Sequence, residues 1–194
     1  VECNQGSNSF NTWGAVGDTI SGDVVVKVRD KSNNEINDNV YGLSPSFDII
    51  GKITVSEPHV NENLPVGSSK TITWAKNGTL GNVKLYYYHD GGYDYINTVD
   101  SNNFSSYNWA SIPAQVENGS KVKVIQQASE GTENEVLGES PAFNIIGSFT
   151  FLSGTKSPGT LNSGASFTLN WNNYALQGEI PNAKLEFFDG VTWH

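Results

Sequence analysis

Two segments of this chain, SPSFDIIG at 44–51 and SPAFNIIG at 140–147, are nearly identical and stand 96 residues apart. Other matches keep step with them. Trp13 in FNTWG and Trp109 in YNWAS share the offset, as do Val26-Lys27-Val28 and Val122-Lys123-Val124. GSSKTITW (67–74) returns as GASFTLNW (164–171), and NVKLYYYHDGG returns as NAKLEFFDG, with Lys84 against Lys184. One matched pair would mean little. An ordered series means a tandem repeat with a period of about 96–100 residues.

That period is about the size of a seven-stranded sandwich domain. One whole unit runs from about Lys52 to Gly147, residues 1–51 match only its second half, and 148–194 match only its first half. Aligned on the offsets, Val1 falls opposite Asn97 and His194 opposite about Tyr95. The halves would therefore join, FFDGVTWH before VECNQGSNSFNTW, into a whole domain with almost nothing missing.

The strands come from period-two runs. Val24, Val26 and Val28 alternate with Val25, Lys27 and Arg29. Ile72 and Trp74 alternate with Thr71 and Thr73. Val83, Leu85 and Tyr87 do the same in NVKLYYY, Val122 and Val124 in SKVKVIQ, and Phe167, Leu169 and Trp171 in SFTLNW. Each run is bounded by Gly, Asn, Asp, Ser or Pro, as strands between turns should be. The spacing predicts an all-β chain of tandem Ig-like (fibronectin-III-like) β-sandwiches, one complete domain flanked by two half-domains. Trp74 and Trp109, with Trp171 and Trp13 as their counterparts, are expected to fill the space between sheets.

The whole unit has a recognisable order: ITVSEP, PVGSSKTITWAKNG, NVKLYYYHDGGYDYI, NWASIP, KVKVIQQ and SPAFNI. This resembles the immunoglobulin-like repeat of the fungal cell-wall Kre9/Knh and Ser-Thr-rich GPI-anchored family, which recurs in large prokaryotic surface proteins. The resemblance spans the chain when both half-units are included. It implies a β-sandwich spacer or adhesive module of the cell surface.

Composition narrows the partners. Eleven basic against 20 acidic residues give a net charge of −9, which argues against nucleic acid, whose binding draws on Lys and Arg. Charged residues are only 16% of the chain while Asn, Ser, Thr and Gly abound, a surface common on secreted β-proteins. Cys3 is the one cysteine, so no intrachain disulfide forms. No apolar run approaches the ~18 residues of a membrane-spanning helix. Asn77, Asn103 and Asn118 open N-glycosylation sequons, which suit a secreted chain.

No catalytic pattern emerges. His59, His89 and His194 form neither HxH nor HExxH, Cys3 has no CxxC mate, and there is no phosphate loop or dinucleotide fingerprint. Paired carboxylates need only proximity in space and leave no spacing signature. The expectation is no enzyme and no cofactor beyond calcium. For calcium, DKSNNEINDN offers Asp30, Ser32, Asn34 and Asp38, with Glu35, as hard oxygen ligands, and SEGTENE offers Glu130, Glu133 and Glu135. An Asn/Asp-rich turn solvated by water is the alternative.

Aromatic display is the other candidate. In a period-two strand Tyr86 and Tyr88 face opposite to Tyr87. Tyr88, Tyr93 and Trp193 are the candidates for stacking on sugar rings, the basis of a carbohydrate-binding or adhesin reading. The leading expectation is a structural protein of the cell exterior. An uncovered half-sandwich exposes strand edges and an apolar face, which invites pairing with other copies of the chain, head to tail, into a filament. The candidate interface is Leu185, Phe187, Phe188 and Trp193 on one half and Val1 and Phe10 on the other. A stretch cut from a longer continuous array would carry the same pattern.

Overall fold

The computed structural model describes residues 9, 14, 16–29, 41–152, 160, 162–175 and 182–194, and every regular element among them is a β-strand. In the first segment β1 (Ser21–Val24) pairs with β4 (Phe47–Ile49), and β2 (Lys27–Arg29) with β3 (Tyr41–Leu43), all antiparallel.

Two sheets follow, built from residues 52–146. β5 (Lys52–Glu57), β7 (Lys70–Asn77) and β10 (Ser106–Trp109) form the smaller, with β7 central; β6 is Asn63–Pro65. The larger runs β6-β13-β11-β8-β9, where β8 is Asn82–His89, β9 Gly92–Asp100, β11 Glu117–Gln126 and β13 Phe143–Ile146. β12 (Leu137–Glu139) joins β11 beside it. Pairing is antiparallel except between β13 and β6, which run parallel.

Alternation explains the core. Ile53 and Val55, Ile72 and Trp74, and Trp109 point inward from the smaller sheet. Val83, Leu85 and Tyr87, Val122 and Val124, and Phe143 and Ile145 point inward from the larger. Polar or half-buried residues hold most of the alternate positions, as the period-two reading requires, but Ile125, out of phase with Val122 and Val124 on β11, is buried as well. The Trp74 indole is buried, and its one donor reaches the Ser101 hydroxyl at 3.2 Å. Leu80, Val66, Ile112 and Val136 enter the same cluster from outside the strands. β12 crosses so close to β5 that a Cβ on Gly138 would stand 2.7 Å from the Ile53 carbonyl oxygen. Only glycine fits there.

The repeat is visible bond by bond. Ser21 pairs with Ile49 and Val24 with Phe47; 96 residues on, Glu117 pairs with Ile145 and Ser120 with Phe143. Lys27–Leu43, Val28–Gly42 and Arg29–Tyr41 recur as Lys123–Glu139, Val124–Gly138 and Ile125–Leu137. The Val26 N–H donates to Ser44 Oγ at 2.9 Å, and the Val122 N–H donates to Ser140 Oγ at 2.9 Å. Even the bulge is kept: Asp23 (φ 55°) takes the left-handed conformation held by Gly119 (φ 84°) in the whole unit.

The last segment repeats the opening of the whole unit. β14 (Ser148–Phe151) pairs with β15 (Trp171–Tyr174) through Phe151–Trp171 and Ser148–Tyr174, as Val55–Trp74 and Lys52–Asn77 pair between β5 and β7. Phe188 bridges Trp193 as Tyr88 pairs with Tyr93. That register sets His194 at the Asp94 position, one residue from the Tyr95 expected, because both hairpins keep four residues between these partners.

Two strand expectations need correcting. The run from Val24 to Val28 is broken at Val25–Val26, where the chain leaves β4 for β3. β11 makes the same change from β13 to β12 but is held straight along its other edge by β8. Phe167 and Leu169 lie outside any strand. Their counterparts Lys70–Thr73 are laddered to β10, and the match to β10 lies at residues 10–13, on the other half-unit.

The first segment is seated on the central unit. The Gly78 N–H donates to the Asp18 carboxylate, and Ile20 lies close over Gly51 and Gly78. Asn134 Nδ2 reaches Asp48 Oδ2 at 3.0 Å.

Candidate assembly surface

The first and last segments expose several residues whose counterparts in residues 52–146 are buried. Leu185 is 58% exposed where Leu85 is 0%, and Phe187 66% where Tyr87 is 6%. Phe151 is 62% exposed against 6% for Val55, and Val28 65% against 0% for Val124. Phe149, Phe151, Trp171, Ala183, Lys184 and Leu185 line an open cleft of about 130 Å³. The counterparts of all but Lys184, namely Ile53, Val55, Trp74, Val83 and Leu85, share one core cluster with Val122, Val124, Phe143 and Ile145. Those four correspond to Val26, Val28, Phe47 and Ile49 of the first segment.

Of the interface residues expected from sequence, Leu185, Phe187, Phe188 and Trp193 are all more than half exposed. Val1 and Phe10 lie outside the described residues. Phe149, Phe151 and Trp171 line the cleft with Leu185, while Val26 and Val28 align with the buried Val122 and Val124, and all five were missed. Their signal was present in the repeat, since each aligns with a residue the pattern places in the core.

The 187–194 hairpin is held at its tip. Phe187 and His194 exchange backbone hydrogen bonds at 3.0 and 2.9 Å, and the two rings stack with centroids 4.9 Å apart. Phe188 meets Trp193 at 5.4 Å, as Tyr88 meets Tyr93 at 5.2 Å. The Asp189 carboxyl is pulled down to about 2 by the Thr192 N–H, the His194 imidazole and the Val191 N–H.

The outer face of the larger sheet carries the tyrosines. Lys123 lies over the rings of Tyr93 (3.9 Å) and Tyr86 (5.0 Å). The Tyr93 hydroxyl donates to Glu139, and Tyr86 and Lys84 both hold Glu130, at 2.7 and 2.6 Å. Burial first, then the Glu139 carboxylate, pushes the Tyr93 hydroxyl up to about 12. Glu139 is held below the ordinary carboxylate range by Tyr93 and then by Lys121, against desolvation. Tyr95 is 57% exposed, while Tyr88 is half-buried.

The calcium candidates Asp30, Ser32, Asn34 and Asp38 lie outside the described residues. In the related loop, Glu130 turns to Lys84 and Tyr86 while Glu135 accepts the Gly131 N–H at 2.7 Å. Among the described residues no three His, Cys, Asp or Glu side chains are grouped to hold a metal ion. Among them too, no helix is long and apolar enough to cross a membrane.

No family model matches the sequence, and no curated protein matches it. Among solved structures the chain is similar to the fibronectin(III)-like modules of Clostridium thermocellum CbhA. The likeness is at 14% identity over 48% of this chain and 92% of that one, with a TM-score of 0.31.

Proposed function

We propose that this chain is a non-enzymatic structural protein of the cell exterior, whose Ig-like modules form a filament, stalk or surface layer. The last segment offers the apolar face that the first segment of a further repeat covers, whether that repeat stands in the same array or in a neighbouring copy placed head to tail. One observation carries this reading: Val55, Leu85, Tyr87 and Val124 are buried while their counterparts Phe151, Leu185, Phe187 and Val28 are exposed, and in sequence the first and last segments match complementary parts of the repeat. The contact is heterologous, so it propagates. Burying such faces removes apolar surface from water at roughly 25 cal/mol per Å², and pairing satisfies open strand edges. The exterior location is supported by a weakly charged, Asn/Ser/Thr/Gly-rich composition and by three sequon asparagines that are all exposed.

Electron microscopy and light scattering of the purified 194-residue chain test the reading. Filaments or rings that Phe187→Asp abolishes are expected. A monomer at every concentration would count against it.

A second reading, a carbohydrate-binding or adhesin module, is favoured by the exposed rings of Tyr95 and Trp193. It requires sugar binding that falls when Tyr88, Tyr93 or Trp193 is replaced by Ala. A glycan array without hits removes it.

A further inference from the structure

The first segment meets residues 52–146 through a very short connection. β4 ends at Ile49 and β5 begins at Lys52, so Ile50 and Gly51 are the whole linker. Two units that share a small contact ordinarily move relative to one another, and a glycine between them adds backbone freedom. The packing around this glycine takes that freedom away. We propose that Asp18, Ile20 and Asp48 lock the joint, so that the first segment and the central unit move as one stiff body.

Gly51 is enclosed from both sides. A Cβ on it would run into Leu80 Cδ2, and would stand 3.2 Å from the Asn77 carbonyl oxygen and 3.3 Å from Ile20 Cδ1. Leu80 is buried in the central core, while Ile20 comes from the first segment. The backbone of Gly78 lies just as close. A Cβ there would be 3.4 Å from Gly51 Cα and 2.8 Å from Ile20 Cδ1 and Cγ1. The two glycines form a floor on which the Ile20 side chain rests. Their missing side chains serve close approach, not bending.

Two polar ties frame this contact. The Gly78 N–H donates to the Asp18 carboxylate, and an ionised acceptor makes a stronger bond than a neutral one. Asp48 bridges the units. Its Oδ1 accepts the Asp23 N–H at 3.2 Å within the first segment, and its Oδ2 accepts Asn134 Nδ2 at 3.0 Å from the central unit. Asp18 and Ile20 precede β1 whereas Asp48 lies on β4, so a rotation about one tie strains the others.

The repeat itself does not demand this latch. An offset of 96 sets Ala114 at the Asp18 position and Val116 at the Ile20 position. Tyr174 pairs with Ser148 as Asn77 pairs with Lys52, which sets Ala175 at the Gly78 position. The second joint therefore has no carboxylate where the first has Asp18.

Spin-label distances read the joint directly. In a Cys3→Ser background, nitroxides on Val25→Cys and Phe104→Cys, two exposed positions, one in each unit, report on it. Diluted with unlabelled chain, they should give one narrow distance distribution. Asp18→Asn keeps an oxygen acceptor for the Gly78 N–H and should leave the distribution narrow. Asp18→Ala with Ile20→Ala should broaden it, and the Gly78 amide should lose its protection from hydrogen exchange. Asn134→Ala cuts the tie from the central unit's side and should broaden it as well. A parent distribution as broad as that of the double variant overturns the lock, and so does a double variant as narrow as the parent. The distance lies within one chain, so the result stands apart from whether copies assemble.

Discussion

The His194 imidazole lies 2.7 Å from the Asp189 carboxylate across the last hairpin, and the whole unit makes the same contact with the residues exchanged. There His89 stands on the first strand and Asp94 on the second, 2.8 Å apart. Each imidazole also stacks on a ring at the matching position, Tyr87 or Phe187, at 4.6 and 4.9 Å. The hairpin tip thus preserves the pair rather than either residue. His89→Asp, which leaves two carboxylates facing each other, should destabilise the chain by about 0.2–1 kcal/mol, and adding Asp94→His should recover most of the loss. Thermal melts of both single variants and the double variant check this.

Leu85 and Leu185 should answer alanine differently. Leu85→Ala empties a fully buried site and should cost about 2–5 kcal/mol in denaturant unfolding. Leu185→Ala removes an exposed side chain and should shift unfolding of the dilute chain by no more than about 0.5 kcal/mol. Its effect should appear in the concentration at which the chain assembles.

Gly138→Val and Gly42→Val form a second contrast. The first drives a Cβ into the Ile53 carbonyl and should lower stability by about 1–3 kcal/mol. The second meets open space on a strand that favours β-branched residues, so the melt should hold or rise slightly.

The hydroxyl of Ser140 is buried, takes the Val122 N–H at 2.9 Å and donates to the Pro141 carbonyl at 2.8 Å. Ser140→Ala orphans a buried backbone donor and should cost about 1–3 kcal/mol. Ser44→Ala, at the half-buried equivalent, should cost less in the same assay.

Two groups give a pH signature. Asp189 titrates lower in the folded hairpin, at about 2 against an ordinary 3.8, so its contribution is full above the ordinary value and is lost as pH falls through about 2. Tyr93 titrates higher, at about 12 against 10, so its contribution is full below the ordinary value and is lost as pH rises through about 12. Glu139→Gln removes the carboxylate that bonds the Tyr93 hydroxyl. Tyrosinate absorbance in that variant should appear at lower pH than in the parent chain.

Much of the central core was legible because alternation alone places Ile72, Trp74, Val83, Leu85, Tyr87, Val122 and Val124 on inward faces, and all seven are buried. Leu80, Val66 and Ile112 were not, since residues outside the strands carry no period that marks them. Phe167 and Leu169 show the converse limit. Their alternation is as clear as that of Ile72 and Trp74, yet a strand needs a ladder, and theirs corresponds to the other half-unit. At the surface, Leu185 and Phe187 could be read from the repeat. The His–Asp exchange could not, because it depends on the register of two hairpins rather than on matching letters.

The parallel pairing of β13 with β6 bears on how a unit responds to force. The chain enters near Lys52, passes through β6 and leaves after β13, with Asn144 bonded to Glu62 and Val66 to Ile146 at 2.8 and 2.9 Å. Tension applied through the two ends pulls these parallel strands in opposite directions. Their bonds are then loaded together, in shear, instead of opening one after another like a zip. The order in which the strands are laid down thus places the shear-loaded bonds of residues 52–146 between the first part of that stretch and its last strand.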